Sequence, residues 1–152
     1  MLTIRAAAAD DEVAVLALLP ELFDPPGRRP AAYSARRGAV GFRHAVASPD
    51  ADVLLAVDGA AVVGMASVYA HYPSMRFGRR AWLEDLVVTA ARRGEGVGAR
   101  LLDAVVDWAR AHGCTEIELT SAAGRRDAHR FYRTHDLEER QALFHRDLAP
   151  GS

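Results

Sequence analysis

The sequence predicts a single α/β domain: one mixed, mostly antiparallel sheet flanked by helices, in the order β-α-α-β-β-β-α-β-α-β-β. Segments that alternate apolar and polar residues at period two interleave with segments whose apolar residues recur at the helical period. The breaks between them carry turn chemistry, among them Asp24-Pro25-Pro26-Gly27, Asp58-Gly59 and Gly113. A third observation sets the domain count. The chain has 152 residues, half of them apolar, which suits one core, and no repeat or linker divides it. The domain is placed at 1–149, with 150–152 as a tail.

Leu2-Thr3-Ile4-Arg5 reads as the opening strand. Asp10 or Asp11 can cap a helix with apolar positions at Val13, Leu16, Ala17, Leu19 and Pro20, ending near Leu22. After the proline-glycine break, a looser helical stretch covers roughly 31 to 47. Asp52–Val57 and Ala61–Tyr72 are apolar strands joined at Asp58-Gly59, a hairpin signal. A turn around Ser74 to Gly78 leads into the strand Ala81–Thr89. The helix from Val97 to His112 buries Val97, Leu101, Val105, Trp108 and Ala109 and exposes Arg100, Asp103, Asp107 and Arg110. Gly113 ends it, and the next strand spans Thr115–Ala122. Asp127 to Thr134 is a short helix, and Glu138 to Leu148 reads as one or two closing strands.

Composition excludes several chemistries. Net charge is −1, so neither a nucleic-acid footprint nor a membrane-binding polybasic surface is indicated. The first apolar run follows Asp10-Asp11-Glu12, the wrong charge for a signal peptide and the right one for a helix start, so a cytoplasmic protein is expected. All 19 Lys+Arg residues are Arg, and Asn is absent, which rules out lysine Schiff bases and P-loop lysines. The same bias matches GC-rich bacterial coding. Cys114 stands alone before an apolar strand and reads as an inert thiol. The six His residues show no metal-ligand spacing, so no metal is expected.

The informative run is Arg92-Arg93-Gly94-Glu95-Gly96-Val97-Gly98, set between a strand and a helix N-terminus. The first N–H groups of a helix have no internal partner and the dipole favours an anion there, so glycines and arginines at this place suit a phosphate. The competing reading is a tight connection whose glycines only relieve strain. P-loop spacing fits poorly, because no Lys-Ser/Thr follows Gly98, and the dinucleotide spacing G-x-G-x-x-G fits poorly, because the glycines fall at 94, 96 and 98, followed by Ala99, and the motif sits well into the second half of the chain.

The pattern R-x-x-G-x-G, as Arg93, Gly96 and Gly98, resembles the acetyl-CoA pyrophosphate loop of the GNAT N-acetyltransferase superfamily. Downstream, Ala128-His129-Arg130-Phe131-Tyr132 resembles that family's A-x-x-F-Y helix. The likeness is sharp from Trp82 to Leu137 and weak before Asp52. It implies a GNAT fold and acetyl-CoA as co-substrate. The pyrophosphate would meet backbone groups of Gly94, Glu95, Gly96, Val97, Gly98 and Ala99, with Arg93 adding charge. The pantetheine arm would lie where the strands Ala81–Thr89 and Thr115–Ala122 splay, against backbone groups of Leu86, Val87 and Val88. Two departures stand out: Ser121 lies where many members place an Asn, and Asp136-Leu137 replaces the usual Gly-Phe.

Acetyl transfer to an amine needs a base, because an alkylamine of pKa about 10.4 is neutral only about once in 10³ molecules at pH 7. Glu84 is the candidate: a charge inside an apolar strand, two residues before Leu86, where many members carry an acid. Period-two alternation sets Trp82, Glu84, Leu86 and Val88 on one face and Leu83, Asp85 and Val87 on the other, unless a bulge upsets the parity. Its structural alternative is a carboxylate paired with Arg76, Arg79 or Arg80. Tyr132 is, by resemblance, the general acid that protonates the departing thiolate; its alternative is packing.

The acceptor is expected to be a small-molecule amine. Its site would be formed by Phe23 to Phe42 and His71 to Arg80, where Arg28, Arg29, Arg36, Arg37, Arg76, Arg79 and Arg80 either clamp an anionic group or are solvated. The open alternatives are a non-catalytic acyl-CoA sensor and a transferase using a longer acyl-CoA or a protein amine. A homodimer is compatible with either; no nucleic-acid or membrane partner is expected.

Overall fold

A computed structural model describes residues 1–148; the expected tail at 150–152 lies outside the described residues. Strands β1 (Leu2–Ala6), β2 (Ala51–Asp58), β3 (Ala61–Ala70), β4 (Arg80–Val88) and β5 (Glu116–Glu118) form one sheet in sequence order. Every neighbouring pair is antiparallel except β4 and β5, which are parallel. Around it lie α1 (Glu12–Leu18), α2 (Ala35–Ala47), α3 (Val97–Ala111) and α4 (Arg126–Thr134).

Two cores form on opposite faces of the sheet. On one, Leu54, Ala66, Val68 and Leu83 meet Val97, Leu101, Val105 and Trp108 of α3, with Phe131 of α4 packed against them. On the other, Val53, Leu55, Met65 and Val87 meet Val15 and Leu18 of α1 and Phe42 of α2. The amphipathic reading of α3 holds, since all five residues assigned to its inner face are buried. No helix among the described residues is long and apolar enough to cross a membrane.

Several boundaries moved for identifiable reasons. Helix α2 starts four residues later than the pattern suggested, because Ser34 Oγ accepts the Arg37 N–H at 3.2 Å and caps it there. Asp11 does not cap α1; its carboxylate holds both Arg5 nitrogens at 2.8 and 2.9 Å and the Ala8 N–H, which brings its pKa down to about 2. A 3-10 turn at Leu19–Leu22, with Pro20 in it, extends that helix toward the acceptor segment.

The end of the chain differs most. The strand expected over Thr115–Ala122 shrinks to Glu116–Glu118, and the closing strands expected over Glu138 to Leu148 are absent. That stretch is exposed throughout, and its charges satisfy one another locally, as in Arg140–Glu138 at 2.6 Å. Apolar Leu143 and Phe144 have no alternating partners to bury them, so period-two patterning there does not yield a strand.

Candidate active site

The glycine loop is built by two constraints. Gly94 and Gly96 adopt φ of 78° and 81°, a left-handed conformation in which a Cβ would be strained. Arg92 reaches Asp58 at 2.8 Å and Glu95 at 3.1 Å, which ties the loop to the β2–β3 hairpin and consumes both side chains. Gly98 faces Phe131 of α4, and an added Cβ there would make only ordinary contact with the ring at 3.5 Å. Among the described residues, no hydrogen bond engages the N–H groups of Gly94 to Ala99, and Gly96 at the N-cap supplies no side chain to them. These donors face outward at the positive end of a helix, which is what an anionic diphosphate requires.

Next to this loop the sheet parts. Strand β5 pairs with β4 only at Arg80, Ala81 and Trp82, whereas β4 runs on to Val88. From Leu83 to Val88 one edge of β4 therefore has no strand beside it, and its peptide groups can pair with an extended chain carrying amides. Leu86, Val87 and Val88 lie on this stretch. Ser121 Oγ, at the position where the family pattern has Asn, is buried without a partner. The free edge, the outward N–H groups and this hydroxyl fit a ligand that has both amides and a diphosphate.

Strand β4 also carries the carboxylates, and here period-two parity fails. Leu83 lies opposite Val68 and Asp85 opposite Ser67, so Glu84 is an extra, unpaired residue: a bulge. The bulge turns Leu86 and Val88 to the α3 face with Leu83, and Asp85 and Val87 to the α1–α2 face. Asp85, expected to point away from Glu84, instead lines the same groove. This groove holds about 640 Å³ and includes Val15, Leu19, Phe42, Ser67, Tyr69, Glu84 and Asp85 among its walls.

The two neighbours differ in surroundings. Glu84 is exposed and accepts the Trp82 Nε1–H. None of the arginines expected as structural partners pairs with it: Arg79 binds Asp50 at 2.5 Å, Arg80 binds Glu118 at 2.7 Å, and Arg76 lies over the Phe77 ring. Asp85 is partly buried, accepts Ser67 Oγ–H at 2.8 Å, and is raised above the usual carboxylate range chiefly by burial, with the Glu84 charge adding to the rise. Period-two alternation set Asp85 on the far face, and the bulge that could upset that parity brings it into the groove.

Tyr132 lies outside this groove, on α4, where burial raises its pKa and the Arg125 charge partly offsets the rise. Arg125 also donates to Leu22 O at 2.7 Å, joining the base of α4 to the 3-10 turn that leads into the acceptor segment. Arg29 stacks on Tyr33, and Arg37 binds Ala32 O at 2.9 Å, while Arg28 and Arg36 are exposed. Cys114 is half-buried, with its thiol pKa pushed up by burial, in keeping with an unreactive thiol.

The chain is similar to known proteins along most of its length. The family model for "Acetyltransferase (GNAT) family" matches residues 16–136. An aminoalkylphosphonate N-acetyltransferase of Salmonella typhimurium is 33% identical over 129 residues, covering 85% of this chain and 80% of the relative. An uncharacterized N-acetyltransferase of Bacillus subtilis is 48% identical over 59 residues, covering 39% of this chain and 42% of that relative, so this match spans under half of the relative's length. In fold, an aminoglycoside N-acetyltransferase in complex with CoA superposes with a TM-score of 0.83 at 16% identity, covering 98% of this chain and 96% of that one.

Proposed function

The chain belongs to the GNAT acetyltransferase family, and on that premise we propose that it moves an acetyl group from acetyl-CoA to the primary amine of a small molecule bearing an anionic group. The observation that carries the donor is the β4 edge from Leu83 to Val88, free of β5 and continuous with the outward N–H groups of the glycine loop. The name of the Salmonella typhimurium relative supports an anionic amine as acceptor. Arg28 and Arg36, exposed in the acceptor segment, are available to pair with such an anion.

Acetyl-CoA supplies a thioester already activated toward attack. Backbone groups of Leu86, Val87 and Val88 hold the arm and direct an N–H toward the acetyl oxygen, where such a donor is worth about 3–4 kcal/mol. Gly94 to Ala99 and Arg93 hold the diphosphate. Glu84, exposed at the groove, takes the proton from the incoming ammonium; at pH 7 that step is about 4–5 kcal/mol uphill for a free alkylamine. Tyr132 Oη protonates the leaving thiolate.

One observation favours a second assignment of the base. Asp85 shares the groove with Glu84, and burial raises its pKa, the direction that makes a carboxylate a stronger proton acceptor. Thiol release from acetyl-CoA, measured across aminoalkylphosphonates and alkylamines without an anionic group, tests the whole reading. Turnover favouring the phosphonates is expected. Saturable acetyl-CoA binding with no thiol release for any amine identifies a sensor instead.

A further inference from the structure

The 3-10 turn Leu19–Leu22 touches both halves of the site through adjacent residues. Glu21 Oε1 accepts the Ala90 N–H at 2.9 Å, just past the end of β4, and stands 3.6 Å from Arg93 Nη2. The next residue, Leu22, offers its carbonyl to Arg125 near Tyr132. Arg93 itself is turned back onto the strand end, its Nε donating to Val88 O at 3.0 Å. The arginine assigned to the diphosphate therefore already has a carboxylate beside it, and that carboxylate sits on the segment leading to the acceptor loop. Glu21 is only 24% exposed, so its charge is less screened than that of a free surface glutamate.

We propose that Glu21 is a positioning residue that couples the donor and acceptor sites: it competes with the diphosphate of acetyl-CoA for Arg93, while its bond to the Ala90 N–H anchors the acceptor segment. This rests on the acetyl-CoA reading above. The two contacts separate by substitution. Glu21→Gln keeps an oxygen for Ala90 but removes the charge; Glu21→Ala removes both. Glu21→Gln therefore reads the contact with Arg93 alone, and Glu21→Ala reads the anchor at Ala90 as well.

Calorimetric titration with acetyl-CoA, together with steady-state kinetics over the amine, tests the proposal. Glu21→Gln should bind acetyl-CoA about two- to fivefold more tightly, the range of a partly exposed ion pair, with KM for the amine unchanged. Glu21→Ala should show the same tightening and raise KM for the amine about two- to tenfold, the loss of one hydrogen bond, with a smaller change in kcat. In an Arg93→Ala background, Glu21→Gln should leave acetyl-CoA affinity unchanged. Equal tightening in that background means repulsion through space and overturns the competition for Arg93. Unchanged or weaker binding by Glu21→Gln, with wild type binding normally, overturns the proposal alone. Absence of binding by wild type overturns the acetyl-CoA reading and this proposal with it.

Discussion

The donor side and the acceptor side of this molecule are assembled by different means. Everything assigned to acetyl-CoA between Leu86 and Ala99 is one unbroken stretch of chain, and most of what it offers is backbone. The groove proposed for the amine instead gathers side chains from α1, the 3-10 turn, α2, β2, β3 and β4. A contiguous backbone site tolerates varied side chains so long as the glycines keep their conformation. A groove built from several elements depends on packing and on the local phase of each strand, so a single inserted residue at Glu84 changes which carboxylates meet in it.

The largest test of this contrast is Glu84→Gln, expected to lower kcat by about 10²–10⁴-fold with acetyl-CoA affinity retained. Steady-state rates over pH, alongside calorimetry, check it. If Asp85→Asn shows the loss and Glu84→Gln leaves the pH–rate profile unchanged, the base is Asp85. On the donor side, Gly96→Ala places a Cβ on a residue with φ of 81°, a cost of about 1–2 kcal/mol. Thermal melts should show that loss, and titration should show weaker acetyl-CoA binding with no change in amine selectivity.

Tyr132→Phe comes next. A thiol of pKa about 8.5 leaves with little help, so kcat should fall only about tenfold, with the deficit growing as pH rises and unassisted protonation becomes harder. The smallest effect concerns stability. Because burial raises the Asp85 pKa, the folded state carries that carboxyl at low cost below the ordinary carboxylate range, and the stability is lost as pH rises through the folded-state value. Asp85→Asn should therefore match wild type in acid and melt above it near neutrality, whereas an equal gap at both pH values would show that the buried charge is not the cause.

Much of the fold was legible because local patterns recorded it. The glycine loop, the buried face of α3 and the Asp58-Gly59 hairpin each follow from residues adjacent in sequence or one helical turn apart. Helix α4 was found from Phe131-Tyr132, and Phe131 packs against the core on the α3 face. The acceptor arginines were legible as a cluster, yet Arg79 and Arg80 are spent on Asp50 and Glu118, partners 29 and 38 residues away. No spacing rule announces such pairs.

By itself the sequence determined the order of elements as far as α4, the glycine-rich helix start and the residue types available for acid–base work, since each depends on backbone conformations that neighbouring residues dictate. Only the tertiary structure decided three matters. It ended β5 after Glu118, leaving the edge of β4 open; it placed the bulge that brings Asp85 beside Glu84; and it set Glu21 against Arg93. Each turns on how separate segments pair and pack, and a one-residue shift in register reverses which face a side chain occupies.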